Sequence, residues 1–240
     1  MSFDPRRPTT PDEELLEAES LAILSELDDE ARVARIMGEI EDGFEALAHV
    51  GKAVAFFGSA RTPEDDPYYG RARALARTLG EAGFAIVTGG GPGIMEAANR
   101  GAQEAGAHSI GLAIELPHEE EPNSYLDVAL EFHYFFVRKV MFVRYTSGFV
   151  VFPGGFGTLD ELFEAATLRQ TEKIRHFPVV LFGSRYWGGL VDWLRERVEG
   201  EGKLSAGDID MLELTDDPER VVAAMHEIEH RRPRRPDLIG

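Results

Sequence analysis

Residues 148–161, Gly-Phe-Val-Val-Phe-Pro-Gly-Gly-Phe-Gly-Thr-Leu-Asp-Glu, limit what this chain can fold into more than any other stretch. A run of β-type residues, 148–152, feeds a glycine-rich turn, and the turn opens into a helical pattern over 159–168. Glycines without Cβ atoms let backbone N–H groups approach a bound oxyanion, and a helix N-terminus adds partial positive charge. The stretch reads as a phosphate cradle made of Gly154, Gly155, Gly157 and Thr158. Glu161 then brings a carboxylate to its rim. A carboxylate beside a phosphate site repels the ligand, and catalysis is one reason for it to be there. A tight strand-to-helix turn is the competing account of the glycines. Dipole compensation in the first helical turn is the competing account of Glu161.

The same strand–turn–helix rhythm runs through most of the chain. Strand patterns are expected at 53–57, 85–88, 109–116, 131–135, 148–152, 178–182 and 212–214. Helical patterns are expected at 68–82, 94–105, 136–146, 159–168, 186–198 and 218–230. The run 53–57 is apolar throughout, as suits a strand covered on both faces of a parallel sheet. Alternating strands and helices imply a doubly wound, mostly parallel α/β sheet with right-handed crossovers. Ligands of such sheets bind beyond the carboxyl ends of the strands. That rule gathers Gly58-Ser59, Gly89 to Gly93, Glu115, Arg138-Lys139 and the 153–161 stretch on one edge.

Ahead of this core, 13–27 and 28–50 carry apolar residues at helical spacing. They form a helical extension that either caps the core or meets another subunit; Phe44, Leu47 and the aromatic run 132–136 are candidate subunit contacts. The organisation expected is an acidic tail and helical extension over 1–49, a nucleotide-binding domain over 50–230 and a basic tail over 231–240.

Charge narrows the partners. The net charge is −18, and residues 1–49 carry 14 Asp/Glu against 4 Arg. Such a surface repels nucleic acid and anionic membranes, so neither is expected as a partner. No apolar run approaches the ~20 residues that span a bilayer. The polar, acidic N-terminus resembles neither a signal peptide nor a transit peptide. Cysteine is absent, which excludes thiolate chemistry and suits a cytoplasmic location. The basic run 231–235 reads as a solvated tail.

An anionic ligand therefore needs local positive charge, and Arg138 with Lys139 supplies it. Near a helix N-terminus such charge opposes the dipole unless something anionic lies close by. Neither glycine run is a dinucleotide fingerprint, since both lack the third glycine. No Gly-Lys-Ser/Thr follows either, which disfavours a triphosphate loop. A mononucleotide or sugar phosphate fits better. Ser59, Met95, Glu96 and Asn99 are candidate contacts to the base or sugar, or else structural. Asp160 reads as ordinary N-terminal charge facing away. The histidines show no metal-type clustering, and no cofactor or metal is expected.

Pro153-Gly154-Gly155-Phe156-Gly157-Thr158-Leu159-Asp160-Glu161 resembles the Pro-Gly-Gly-x-Gly-Thr-x-x-Glu signature of the LOG ("Lonely Guy") family, cytokinin riboside 5′-monophosphate phosphoribohydrolases. Members are often mislabelled lysine decarboxylases. The resemblance extends over Gly58-Ser59, Gly89 to Gly93 with Ile94-Met95-Glu96, and Arg138-Lys139. It implies a Rossmann-like fold and hydrolysis of the N-glycosidic bond of an adenosine-type 5′-monophosphate to free base and ribose 5-phosphate. It also implies catalytic roles for Arg138 and Glu161. Substrate contacts would come from Gly58, Ser59, Gly90, Gly91, Met95, Glu96, Lys139, Gly154, Gly155, Gly157 and Thr158. The N-terminal extension is similar to that of longer members, which implies a homodimer or larger homo-oligomer. A non-catalytic nucleotide-binding or sensor module on the same fold is the alternative. A pyridoxal-dependent decarboxylase would need a Schiff-base lysine, and of Lys52, Lys139, Lys173 and Lys203 only Lys139 falls on the ligand edge.

Overall fold

Every residue of Ala53–Phe57 is buried, and this strand, β1, lies at the centre of a parallel sheet. The computed structural model describes residues 11–16, 29–116 and 121–229. The remaining strands are β2 (Ala85–Thr88), β3 (Ser109–Ile114), β4 (Val128–Phe132), β5 (Phe149–Val151), β6 (Val179–Phe182) and β7 (Leu212–Thr215). Around them lie α1 (Pro11–Leu16), α2 (Asp29–Ala46), α3 (Pro67–Glu81), α4 (Ile94–Glu104), α5 (Phe135–Tyr145), α6 (Phe156–Gln170), α7 (Ser184–Trp193) and α8 (Pro218–Glu229). The order across the sheet is β4-β3-β2-β1-β5-β6-β7, and all six pairings are parallel. This is the Rossmann-like α/β fold.

Strand periodicity divides the core in two. Ala53, Ala55 and Phe57 face a layer that includes Phe44, Met141, Leu162 and Trp187, from α2, α5, α6 and α7. Val54 and Phe56 face Leu75, Ala98 and Met225, from α3, α4 and α8. The α3 and α4 backbones come very close, since a Cβ on Gly101 would lie 2.2 Å from the Arg73 carbonyl oxygen. The chain adds strands outward from β1 to β4 on one side, then returns to begin β5 on the other. The gap between β1 and β5 is therefore the topological switch point, where doubly wound sheets hold their ligands.

Element boundaries depart from the sequence reading in two instructive places. β4 spans Val128–Phe132, not 131–135, because its register is set by pairing with β3 (Ile114 opposite Phe132). The aromatic residues beyond it belong to the turn and to α5. Helix α6 starts at Phe156 rather than 159, with Gly155 as its N-cap. Helix α7 continues as a π-helical stretch, Leu194–Glu199.

Helix α2 serves this chain's own core. Leu47 is 1% exposed, Phe44 packs edge-on against Tyr145, and a Cβ on Gly43 would sit 2.8 Å from Met141 Cε. Phe132 and Tyr134 are buried too, so of the proposed subunit contacts only Phe135 and Phe136 remain as large exposed apolar groups. The 17–28 part of the N-terminal extension, residues 117–120 of the acidic loop and the basic tail lie outside the described residues.

Candidate functional site

Three loops meet at the switch point, and backbone hydrogen bonds tie them together. The Ser59 N–H donates to the Pro153 carbonyl (2.9 Å), joining the loop after β1 to the turn after β5. The Ile94 N–H donates to the Ser59 carbonyl (3.1 Å), joining that loop to the start of α4. Gly58 permits this approach, because a Cβ there would lie 2.6 Å from Ile94. The Gly89 to Gly93 loop is held from its other side by Asn123. Its amide nitrogen donates to the carbonyls of Gly90 (2.9 Å) and Gly91 (3.0 Å).

The turn after β5 is fixed from beneath by α7. Tyr186 Oη donates to the Gly154 carbonyl (2.9 Å) and Trp187 Nε1 to the Val151 carbonyl (3.1 Å). Gly154 faces Thr158, whose Oγ1 would lie 2.1 Å from an added Cβ. Gly155 and Gly157 face open space. The first turn of α6 thus leaves unobstructed backbone where an anion can approach its N–H groups.

Glu161 sits further along α6, in its second turn. Dipole compensation in the first turn therefore does not account for it, and the first turn holds no acid. Its side chain is 3% exposed, and neither carboxylate oxygen has a hydrogen-bond partner among the described residues. Burial pushes its pKa up to about 7, although Lys139 and Arg138 pull the other way. A buried, unbonded carboxylate is costly unless it is used.

Both cations come from α5. Arg138 Nη2 lies 3.9 Å and Lys139 Nζ 3.6 Å from Glu161 Oε1. The Arg138 guanidinium lies over the rings of Phe135 and Phe142, at 5.1 and 5.9 Å from their centroids. The N-terminus of α5 receives Asp12 of α1, whose Oδ2 accepts from the Phe135 N–H (3.2 Å). It also receives Glu39 of α2, whose Oε2 accepts from the His133 N–H (3.2 Å).

The structure separates the other candidates. Met95 lies against the glycine loop, its sulfur 2.8 Å from where a Gly89 Cβ would be. Glu96 accepts from Tyr69 Oη (2.7 Å) and is turned toward α3. Ser59 Oγ accepts from the Arg61 N–H (3.0 Å). Asn99 is fully buried and bonded to Thr88 Oγ1 (2.6 Å) and Ser109 Oγ (2.9 Å), so it fastens β2 to β3. Asp160 does not face away: its Oδ2 is 2.9 Å from Lys139 Nζ. Glu164, which the sequence reading passed over, is closer still at 2.5 Å. Its signal was there to be read, as an acid four residues after Asp160 and three after Glu161. Asn123 and Tyr186 carried no comparable signal, because each acts on a backbone carbonyl remote in sequence.

A groove of about 740 Å³ on α6 is lined by Phe156, Leu159, Asp160, Phe163, Glu164, Thr167 and Leu168, but not by Glu161. Among the described residues no group of three or more His, Asp or Glu is arranged to hold a metal ion, and no helix is long and apolar enough to cross a membrane.

A protein-family model described as "possible lysine decarboxylase" matches residues 95–225. The chain is 31% identical over 140 residues to a probable cytokinin riboside 5′-monophosphate phosphoribohydrolase, LOGL5, of Oryza sativa subsp. japonica, covering 55% of this chain and 54% of the relative. It is 30% identical over 172 residues to a pyrimidine/purine nucleotide 5′-monophosphate nucleosidase of Escherichia coli (strain K12), covering 66% of this chain and 37% of that protein. The chain thus spans about half the length of the first relative and just over a third of the second. A cytokinin riboside 5′-monophosphate phosphoribohydrolase of Arabidopsis thaliana, LOG4, is 30% identical over 161 residues, covering 65% of this chain and 72% of its own. Among solved structures, the molybdenum cofactor binding protein of Rippkaea orientalis superposes with a TM-score of 0.54 at 20% identity, over 74% of this chain and 96% of its own. At that identity the likeness concerns the fold alone. The signature residues, the sheet order and these matches agree: the chain belongs to the LOG family, whose family model carries the description possible lysine decarboxylase.

Proposed function

We propose that this protein hydrolyses the N-glycosidic bond of a nucleoside 5′-monophosphate, releasing free base and ribose 5-phosphate. The observation that carries the proposal is Glu161, a carboxylate buried without a hydrogen-bond partner beside two cations. Names borne by the relatives support the same class: phosphoribohydrolase in the plant proteins and 5′-monophosphate nucleosidase in the bacterial one. An adenosine-type monophosphate, N6-substituted or not, is the substrate we infer.

In this reading the substrate phosphate rests on the open N-terminus of α6 at Gly155, Gly157 and Thr158, where unbonded N–H groups and the dipole favour an anion. Gly58, Ser59, Gly90, Gly91 and Met95 line the base and sugar side. The C1′–N bond breaks with its electron pair going to the base, and water oxygen bonds to C1′. One water proton passes to Glu161 and from there to the departing base nitrogen. Glu161 also stabilises the positive charge that develops at C1′. Arg138 offsets the repulsion between this carboxylate and the phosphate and grips ligand oxygens. A carboxyl group that titrates near neutrality suits a group that must both take and return a proton.

A decarboxylase working through a lysine Schiff base does not fit these residues. Burial lowers the proton affinity of Lys139, but hydrogen bonds to Glu164 and Asp160 raise it beyond the ordinary value, opposite to what an amine nucleophile needs. Lys52 precedes β1, at the far edge of the sheet. A non-catalytic binding module has no use for an unbonded carboxylate beside a phosphate cradle, although the fold itself would serve one.

Purified protein incubated with AMP and with an N6-substituted AMP should release base from at least one. Glu161→Gln should cut kcat by ~100-fold or more, the usual scale for a positioned acid–base group, while AMP still binds. Release of base from neither substrate, with Glu161→Ala binding AMP at least as well as wild type, would overturn the proposal.

A further inference from the structure

Lys139 is surrounded by acids from a single stretch of α6. Its ammonium lies 2.5 Å from Glu164 Oε2, 2.9 Å from Asp160 Oδ2 and 3.6 Å from Glu161 Oε1. Asp160 and Glu164 are four residues apart and share a helix face, with Glu161 beside them. An ammonium has three donors, and two are taken up at hydrogen-bonding distance. The third partner, Glu161, stays beyond that distance. The lysine side chain is only 14% exposed, against 54% for Asp160 and 33% for Glu164, so the ammonium is held at the buried end of the cluster while the gripping acids reach solvent.

We propose that Lys139 is a positioning residue: Asp160 and Glu164 grip its ammonium just out of hydrogen-bond reach of Glu161, so that the reacting carboxylate is charge-balanced yet left free for the substrate. The inference rests on the reading of Glu161 as the reacting group. It gives Lys139 a role other than that of a phosphate ligand, because its donors are directed at α6 carboxylates.

The clamp works through two opposing effects. Ungripped, the ammonium would close on Glu161 and occupy the oxygen that must accept a proton. Absent, it would leave a buried carboxylate with less compensation, and the carboxyl would hold its proton to higher pH. The charged groups facing Glu161 are Arg138 and Lys139 from α5, which favour its ionised form, and Asp160 and Glu164 from α6, which oppose it. Asp12 of α1 bonds the N-terminus of α5 and lies within the field of Arg138.

The clamp therefore predicts shifts of opposite sign. If Glu161 acts as the carboxylate, the rate of base release from AMP rises with pH through its titration. Lys139→Met should move that rise upward by about one pH unit, the lower end of what a charge at this distance does. Lys139→Arg should restore much of the shift. Glu164→Gln should move the rise downward by a smaller amount, since it removes a negative charge and lets the ammonium approach Glu161. An independent reading comes from the infrared band of the protonated Glu161 carboxyl, identified by its loss in Glu161→Gln and followed against pH without substrate.

Opposite shifts in the band and the rate profile bear the clamp out. Lys139→Met raising the KM for AMP with neither band nor profile moved would overturn it and make Lys139 a phosphate ligand. Shifts of the same sign in Lys139→Met and Glu164→Gln would overturn it as well. Should wild type release no base while the band moves as stated, the nucleosidase reading falls and the clamp stands as an electrostatic device. Loss of activity through misfolding is told apart by Lys139→Arg and by the band itself.

Discussion

Two glycine-rich turns end neighbouring halves of the sheet, and they use glycine for different reasons. In the turn after β2, Gly90 and Gly93 have φ of 77° and 67°, where L-residues with side chains are strained. A Cβ on Gly93 would meet the Ser59 carbonyl oxygen at 2.4 Å. This turn is packed and tied down by Asn123. In the turn after β5, none of Gly154, Gly155 and Gly157 has positive φ, and two of them face nothing within 4 Å. The first turn needs glycine to exist. The second needs glycine only at Gly154, where a Cβ would crowd Thr158; at Gly155 and Gly157 it needs none, so their bare backbone is available for a ligand.

That contrast is open to direct attack. The largest effect should come from Gly93→Ala, which combines left-handed strain with a backbone clash. We expect a loss of ~3 kcal/mol and a Tm lower by ~5–10 °C, measured by thermal or urea unfolding. An unchanged Tm would remove the claim that the first turn is structural.

The second effect belongs to the helix that the β5 turn opens. Glu161 titrates near 7 in the fold against an ordinary 4.5, so the folded state holds the proton more tightly than the unfolded chain. Its favourable contribution is complete below pH 4.5 and is lost as pH rises through 7. Glu161→Gln lacks this loss. Its stability relative to wild type should therefore grow between pH 4 and pH 8, by about 3 kcal/mol at ~1.4 kcal/mol per pH unit. A difference independent of pH would show that burial does not hold the proton on Glu161.

The smallest effect should come from Gly157→Ala. With open space around it and a helical position in α6, alanine should be neutral or stabilise by ~0.5–1 kcal/mol. The same change should raise the KM for AMP roughly tenfold, or ~1.4 kcal/mol of binding, because a methyl group now faces the anion. A fall in stability with binding unchanged would reverse the assignment of the two turns.

Much of this was legible in the sequence, and the misses share a cause. Strands 53–57 and 85–88 were read to the residue because each is a short apolar run bounded by turn residues. The strand at 128–132 was misplaced by three residues because only its pairing with β3 sets its limits. Asn99 was a candidate ligand contact since a polar residue on a helix looks alike whether it faces a site or a neighbouring strand. Leu47 was a candidate subunit contact, yet it is buried in this chain's own core, while Phe44 is half-buried against Tyr145 of α5.

By itself the amino-acid sequence determined the α/β rhythm, the edge on which the candidate site residues gather, the glycine-rich turn after β5 and the family. Those are local properties of spacing and residue type, readable within a few turns or strands. Only the tertiary structure decided which glycines serve the backbone and which leave it open, why Glu161 holds a proton near neutrality, and that Lys139 is gripped by Asp160 and Glu164. These depend on the low dielectric and close approach created when α5 packs beside α6, and Lys139 lies 25 residues from Glu164 along the chain. No pattern within either helix contains that proximity.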